Sequence, residues 1–439
     1  MDSRKEFLSK FWQRYPAVKE EALDTAGAFS FLGSDQLLFI GGRLFGTPGE
    51  FTISSGGSTC AIQFDRECKW SDVSLPFDRS VFDSGDIVLI KAKVVGVFDA
   101  VVFHVHEVQL LAPAFTKSKH NTSSHAKREI EWARFKQDIR AFFISREFIE
   151  TQTPTLVPSP GTEPYLDVFT TELVYGKNKK LFFLPTSPEF HLKKLLAQGH
   201  TRIFELRSCF RNGEVSEHHQ PEFQMLEWYR AYAGLDAIIE DVAHLLRHLQ
   251  AKYPQKKIEQ LKVTTMAALF AEHCDGFELR PMTSKEDLFS LCEKLGLRPM
   301  VNDTWDDLFF RVVIDKIEPS IDRETPLIVR NYPQPQAALS RLGDDGWAQR
   351  FEFYWRGLEI ANAFDELNDP KQNEERFKSD LIKRKHSGRE SHPVDDELIE
   401  SFYSGMPPAG GIALGVERLF MALFEIKDIA QIKSFPMTI

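Results

Sequence analysis

At 439 residues, with 42% hydrophobic content and 37 phenylalanines, the chain can bury a sizeable core and is long enough for two domains. Its formal net charge of −10 argues against nonspecific polyanion binding, although an acidic enzyme still holds RNA through a local basic patch. Five cysteines, Cys60, Cys68, Cys209, Cys274 and Cys292, form no CxxC pair and no even-numbered framework, which fits a reduced cytoplasmic setting. No apolar run reaches the length of a bilayer span, so neither export nor membrane insertion is expected.

The charged stretch opening with MDSRKEFLSKFWQRYP, residues 1–27, reads as an N-terminal helical segment. Over residues 28–114, LLFIGGRLFG, EFTISS, STCAIQF, DIVLIKAKVVGVF and AVVFHVHEVQLL alternate apolar and polar positions between turn residues, predicting about five strands of a small closed barrel. His104 and His106 share a face of one strand. With no third ligand spaced nearby, a structural pair is the simpler reading. Residues 115–125, FTKSKHNTSSH, read as a linker, in which Asn121-Thr122-Ser123 is no more than polar spacer. Trp132, Phe135, Ile139, Phe142 and Phe143 then recur at helical spacing, and the extended IETQTPTL follows, with its first proline at Pro154.

Arg207–Arg230, RSCFRNGEVSEHHQPEFQMLEWYR, carries the densest chemistry and predicts two antiparallel strands. Phe223, Met225, Glu227 and Tyr229 fall on one face, which spans about 20 Å at strand rise, comparable to an aminoacyl-adenylate laid lengthwise. Arg207, Cys209 and Arg211 share a face of the first arm, where a guanidinium can grip a phosphate. Periodicity alone favours core packing for such a run. Further on, SKEDLFSLCEKLGL and WDDLFFRVVIDKI predict a helical insertion over about 256–325, and Glu374–Arg389 reads as a solvated helix.

Three segments occur in the order of the class II aminoacyl-tRNA synthetase motifs. The helix and extended strand ending at Pro154 resemble motif 1, the dimer-building element; Arg207–Arg230 resembles motif 2; GGIALGVERLFM, Gly410–Met421, resembles motif 3. TSPEF at Thr186–Phe190 and GLEIANAFDELND at Gly357–Asp369 are similar to the lysine branch. The resemblance implies an α+β fold: a catalytic domain over 126–439, built on an antiparallel sheet flanked by helices, preceded by an all-β OB-like domain over 28–114 akin to an anticodon-binding module. Within the branch, PGTEPYLDVF at Pro160–Phe169, YPQPQAALS at Tyr332–Ser340, LEWYR at Leu226–Arg230 and HPVDDELIE at His392–Glu400 resemble the ligases that attach a lysine-type amino acid to elongation factor P. So does Ala413, where the tRNA-charging enzymes usually carry glycine. One methyl there shifts preference by about 1–3 kcal/mol, and it is read as favouring β-lysine.

The implied reaction is ATP-dependent formation of a lysyl-type adenylate, then transfer to a lysine of elongation factor P. The alternatives are transfer to tRNA by a lysyl-tRNA synthetase and a non-catalytic binding protein. Retention of Arg211, Glu359, Glu366 and Arg418 speaks against the last. Carried over by position, Arg211 holds the α-phosphate, Phe223 and Arg418 sandwich adenine, and Glu214, His219, Gln220, Ile360 and Gly415 complete the ATP site. Glu359 binds Mg²⁺, and Glu366 serves either the metal or the substrate amine. Ser187, Glu189, Glu227 and Tyr229 receive the amines of lysine or β-lysine, and Asn362 its carboxylate. A homodimer is implied. The pattern departs at Gly213-Glu214, where the family's acid comes one residue earlier, at Gln220, which replaces an asparagine, and at Ala363, which replaces a glycine. Phe51 matches the family's base-stacking aromatic, but Gly46, Thr47, Pro48 and Gly49 replace its basic neighbours, so the RNA site reads as degraded.

Overall fold

The computed structural model describes Arg4 and residues 22–47, 50–70, 77–97, 100–114 and 123–437. Of the helical segment expected over 1–27, only Arg4 and residues 22–27 are described, with one helical turn at Thr25–Ala28, and of the linker expected over 115–125 only residues 123–125 are described. The chain divides into two compact units, Met1–Arg134 with Gln431–Phe435 and Phe135–Ala430 with Pro436–Ile439.

In the first unit β1 (Leu38–Phe45), β2 (Thr52–Ser55), β3 (Ser58–Trp70), β4 (Ile87–Val97) and β5 (Ala100–Ala112) close a barrel in the order β1-β2-β3-β5-β4. All pairings are antiparallel except β3 with β5. Alternation along β1 sends Leu38, Ile40 and Leu44 inward to meet Ile90, Val105 and Phe103. Phe51 does not present a stacking face. It is 3% exposed and packs edge-on against Phe82, because its inward register makes it a core residue. His106 Nδ1 lies 2.6 Å from Asp65, whose other oxygen is 3.8 Å from His104 Nδ1, so one carboxylate serves both rings. Among the described residues no group of three or more His, Cys, Asp or Glu side chains is arranged to hold a metal ion.

The second unit is built on an eight-stranded sheet. Helix α1 (Ser123–Ser145) begins inside the stretch read as linker and leads to β6 (Ile149–Glu150). A separate hairpin, β7 (Phe169–Tyr175) with β8 (Asn178–Leu184), precedes α2 (Glu189–Ala197), β9 (Arg202–Phe210), β10 (Glu222–Ala231) and α3 (Leu235–Lys252). After β11 (Lys262–Thr265) come the insertion helices α4 (Met266–His273), α5 (Lys285–Lys294) and α6 (Trp305–Val312), then β12 (Leu327–Tyr332), β13 (Ala348–Trp355), β14 (Leu358–Asp365), α7 (Pro370–His386), α8 (Asp396–Gly405), β15 (Ala409–Gly415) and α9 (Val416–Phe424). The sheet order is β11-β12-β13-β14-β15-β10-β9-β6, antiparallel except at its two end pairs.

Strand alternation decides which face holds the core and which holds chemistry. Phe204 and Trp228 are register partners on one face, where Phe143 of α1 stacks on Phe204 at 4.9 Å and meets Trp228 at 5.0 Å. All three are fully buried, and truncating any one costs about 3–5 kcal/mol. Their neighbours Glu227 and Tyr229 therefore face the other way. Helices α5 and α6 start at reciprocal caps, Ser284 with Asp287 and Thr304 with Asp307, and with α4 bury Phe270, Leu288, Leu308 and Phe309 against Val329 and Tyr332 of β12 and Ala348 and Tyr354 of β13. Helix α7 is not wholly solvated, since Phe377 and Arg384 are buried. All five cysteines are buried and unpaired, and among the described residues no helix is long and apolar enough to cross a membrane.

Candidate active site

The sheet's chemical face carries a cavity of about 590 Å³. Its floor is a row of directly opposed residues, one per strand: Glu227 on β10 faces Ala413 on β15, Ala413 faces Asn362 on β14, and Asn362 faces Glu352 on β13. Three strand spacings separate the two acids, about 14 Å. A second row sets Tyr229, Gly411, Phe364 and Arg350 side by side. A Cβ on Gly411 would meet the Tyr229 ring at 2.3 Å and Glu366 Oε1 at 2.4 Å, so only glycine fits. At Gly415 a Cβ would make ordinary contact with Arg418, at 3.5 Å.

One end of the cavity is acidic. Ser187 Oγ donates to Glu227 Oε1 at 2.5 Å, and the Tyr229 hydroxyl lies 3.3 Å from its other oxygen. Glu189 opens α2, and one turn later Lys193 reaches back to it at 2.5 Å while contacting Glu366 at 2.7 Å. Lys193 is 1% exposed. Two carboxylates thus hold one buried ammonium, and a third, Glu227, stands near Glu189. Burial, with Glu189 nearby, holds the Glu227 carboxyl well above the usual range, and burial pushes Glu366 to about 8 against the pull of Lys193. Burial favours a neutral Lys193, but Glu189 and Glu366 outweigh it and hold the ammonium above its ordinary value. The cluster is short of positive charge and is built to receive more.

The other end is cationic and aromatic. Arg211 lies 5.1 Å over the Phe223 ring, its Nε buried without a hydrogen-bond partner and its Nη1 3.8 Å from Glu214. Gly213, at φ +80°, turns the chain so that Glu214 still lines the cavity despite arriving one residue late. Arg418, in the first turn of α9, donates to the Glu359 carbonyl at 2.8 Å and to His219 Nε2. His219 Nδ1 is 2.8 Å from Ser216 Oγ, and burial and Arg418 both disfavour its protonation. Gln220 lines the cavity, but its side-chain Oε1 accepts from the Met437 backbone amide at 3.1 Å. Burial and the neighbouring Glu352 raise the Glu359 carboxyl to about 7, with Arg418 acting against them.

The cavity brings together all the residues assigned from sequence: Ser187, Glu189, Arg211, Glu214, His219, Gln220, Phe223, Glu227, Tyr229, Glu359, Ile360, Asn362, Glu366, Ala413, Gly415 and Arg418. Glu366 sits with Lys193 at the acidic end, whereas the charges acting on Glu359 are Glu352, Arg418, Arg350 and Arg211. Arg207 is not in the cavity. It donates to Thr153 Oγ1 at 2.5 Å and to Thr155 Oγ1 at 2.9 Å, tying β9 to the extended segment before it. Sequence reasoning missed Lys193, Gly411 and Glu352, which accepts from Arg350, Tyr332 and Tyr354. The i,i+4 spacing of Glu189 and Lys193 on a helix was a readable signal for the first. The other two depend on register across non-consecutive strands.

A family model described as tRNA synthetases class II (D, K and N) matches residues 120–439. An elongation factor P--(R)-beta-lysine ligase of Haemophilus influenzae (strain PittGG) is 34% identical over 318 residues, covering 71% of this chain and 96% of that protein. Proteins of the same description from Histophilus somni (strain 2336) and Yersinia enterocolitica are each 34% identical, over 303 and 311 residues, covering 68% of this chain and 91% and 92% of theirs.

Proposed function

This chain belongs to the class II (D, K and N) tRNA synthetase family, and we propose that it joins a lysine-type amino acid, by way of its adenylate, to a lysine side chain of elongation factor P. The observation that carries this reading is the charge division of one cavity. Glu189 and Glu366 share a single ammonium and Glu227 beside them has none, while Arg211, Arg418 and Phe223 lie at the opposite end. A substrate with two ammonium groups supplies the charge the acidic cluster lacks, and a nucleoside triphosphate suits the cationic end.

The amino-acid carboxylate is ionised at neutral pH, so adenylation needs no protein nucleophile. It attacks the α-phosphorus and expels pyrophosphate. The chain's work is alignment and charge neutralisation. Arg211, whose Nε has no partner, takes the α-phosphate, and the buried, unpartnered Asn362 Oδ1 marks an amide free to turn toward the substrate carboxylate. Phe223 and Arg418 flank adenine. Mg²⁺ fits beside Glu359, whose carboxyl is raised to about 7 by burial and the neighbouring Glu352, so that an arriving cation would favour its ionised form. Bound there, the ion would neutralise phosphate charge. Ala413, between Glu227 and Asn362 on the floor, narrows the channel where the α- and β-amino isomers differ.

A second reading, transfer to tRNA, draws on the five-stranded barrel. Exposed Ile144 and Ile149 beside edge strand β6 favour pairing of two copies there. Incubation with ATP and either lysine isomer, offered elongation factor P or tRNA, tests the proposal. A mass gain on the factor is expected, larger with β-lysine; charged tRNA with unmodified factor would overturn it.

A further inference from the structure

Transfer to an amine poses a problem that adenylation does not. A lysine side chain arrives as an ammonium, with an ordinary pKa of about 10.4, and only the neutral amine attacks an acyl carbon. A carboxylate in the cavity placed to take that proton speeds the attack. Most of its acids are engaged: Glu227 with Ser187 and Tyr229, Glu189 and Glu366 with Lys193, Glu352 with Arg350 and two tyrosines, and Glu214 with Arg211. Glu359 stands among the arginines of the nucleotide end. Glu417 accepts from the Gln224 amide.

Glu163 is the acid left over. It lines the same cavity as Arg211 and Ser187. Among the described residues it makes no ion pair, and its carboxyl contacts the Thr186 hydroxyl at 3.4 Å and its own backbone amide. Its loop is held from behind: buried Arg384 of α7 donates to the carbonyls of Glu163 at 3.1 Å and Leu166 at 2.5 Å. Two residues on, Tyr165 is 58% exposed and lines the cavity together with Phe310 of α6, so aromatic faces stand where a cationic side chain would enter.

We infer that Glu163 is the general base for the second half-reaction, receiving the proton of an incoming ε-ammonium between the aromatic rim and the adenylate. This rests on the amine-acceptor reading above. The ammonium gives one proton to the Glu163 carboxylate, and the freed nitrogen lone pair attacks the acyl carbon. The bond from that carbon to the phosphate oxygen breaks, AMP leaves with the electron pair, and the nitrogen's second surplus proton passes to solvent. The groups acting on Glu163 suit the task. Burial, Glu189 on α2 and Asp380 on α7 raise its carboxyl, while its own backbone amide and Arg211 lower it. A base so poised takes a proton more readily than an ordinary glutamate.

Hydroxylamine, already neutral at pH 7, tests this, because it attacks an adenylate without prior deprotonation. Wild type, Glu163→Gln and Glu163→Asp are given ATP and lysine with three acceptors: hydroxylamine, the protonated amine of Nα-acetyl-lysine amide, and elongation factor P. Each transfer rate is divided by the pyrophosphate-exchange rate of the same variant. For Glu163→Gln the ratio should fall by about 10²–10⁴ with the two ammonium acceptors and hold with hydroxylamine, with partial recovery in Glu163→Asp. An unchanged ratio for the ammonium acceptors, or an equal loss with hydroxylamine, overturns the assignment. Wild-type transfer to the small amine but not to the factor would sink the acceptor reading and leave Glu163 standing.

Discussion

Replacing Lys193 with methionine keeps the side-chain volume and removes the one cation of the acidic cluster. Glu189 keeps 16% of its side chain exposed and can turn to water; Glu366, at 1%, cannot. The cost should therefore concentrate on Glu366. Stranding one buried charge typically costs about 3–5 kcal/mol, a large part of a domain's margin. Urea unfolding at about pH 9, where wild-type Glu366 is ionised, followed by tryptophan fluorescence reads it, and the double variant Lys193→Met with Glu366→Gln should recover more than half there, since the stranded charge is gone. Acid should help the single variant too. Glu366's folded pKa of about 8 already lies above its unfolded value and losing Lys193 raises it further, so the single variant's deficit relative to wild type is largest above that range and shrinks as pH falls through about 8. If Lys193→Met lies within about 0.5 kcal/mol of wild type, or the double variant is no better than the single, the cluster is not the strained charge set argued for.

Gly411→Ala should displace the Tyr229 ring and cost about 1–3 kcal/mol, raising the KM for lysine in pyrophosphate exchange more than the KM for ATP; equal effects on both would place the clash elsewhere. Because the Glu359 carboxyl is raised to about 7, Mg²⁺-dependent ATP binding should strengthen from pH 6 to pH 8 as the carboxylate form fills, and Glu359→Gln should flatten that slope in titration calorimetry. Phe51→Ala should cost about 3–5 kcal/mol as a core deletion; loss of RNA binding at unchanged stability would restore its reading as a stacking residue.

The two arms of Arg207–Arg230 were legible because strand alternation is local: once Trp228 is buried, Glu227 and Tyr229 must face the other way. The cap-bounded helices and the barrel's strand rhythm were readable for the same reason. Local pattern failed where a residue's fate hangs on a distant partner. Phe51 looks like a surface aromatic until Phe82 closes over it, Arg207 like a phosphate ligand until Thr153 and Thr155 claim it, and Arg384 like a solvated charge until it caps two loop carbonyls. The row from Glu227 through Ala413 and Asn362 to Glu352 joins four strands whose order in the sheet is not their order in the chain. Sequence alone determined which residue types could serve a diamino acid and a nucleotide. Tertiary structure decided which of them meet, because charge balance in a cavity is a property of distances, and distances across a sheet are set by register.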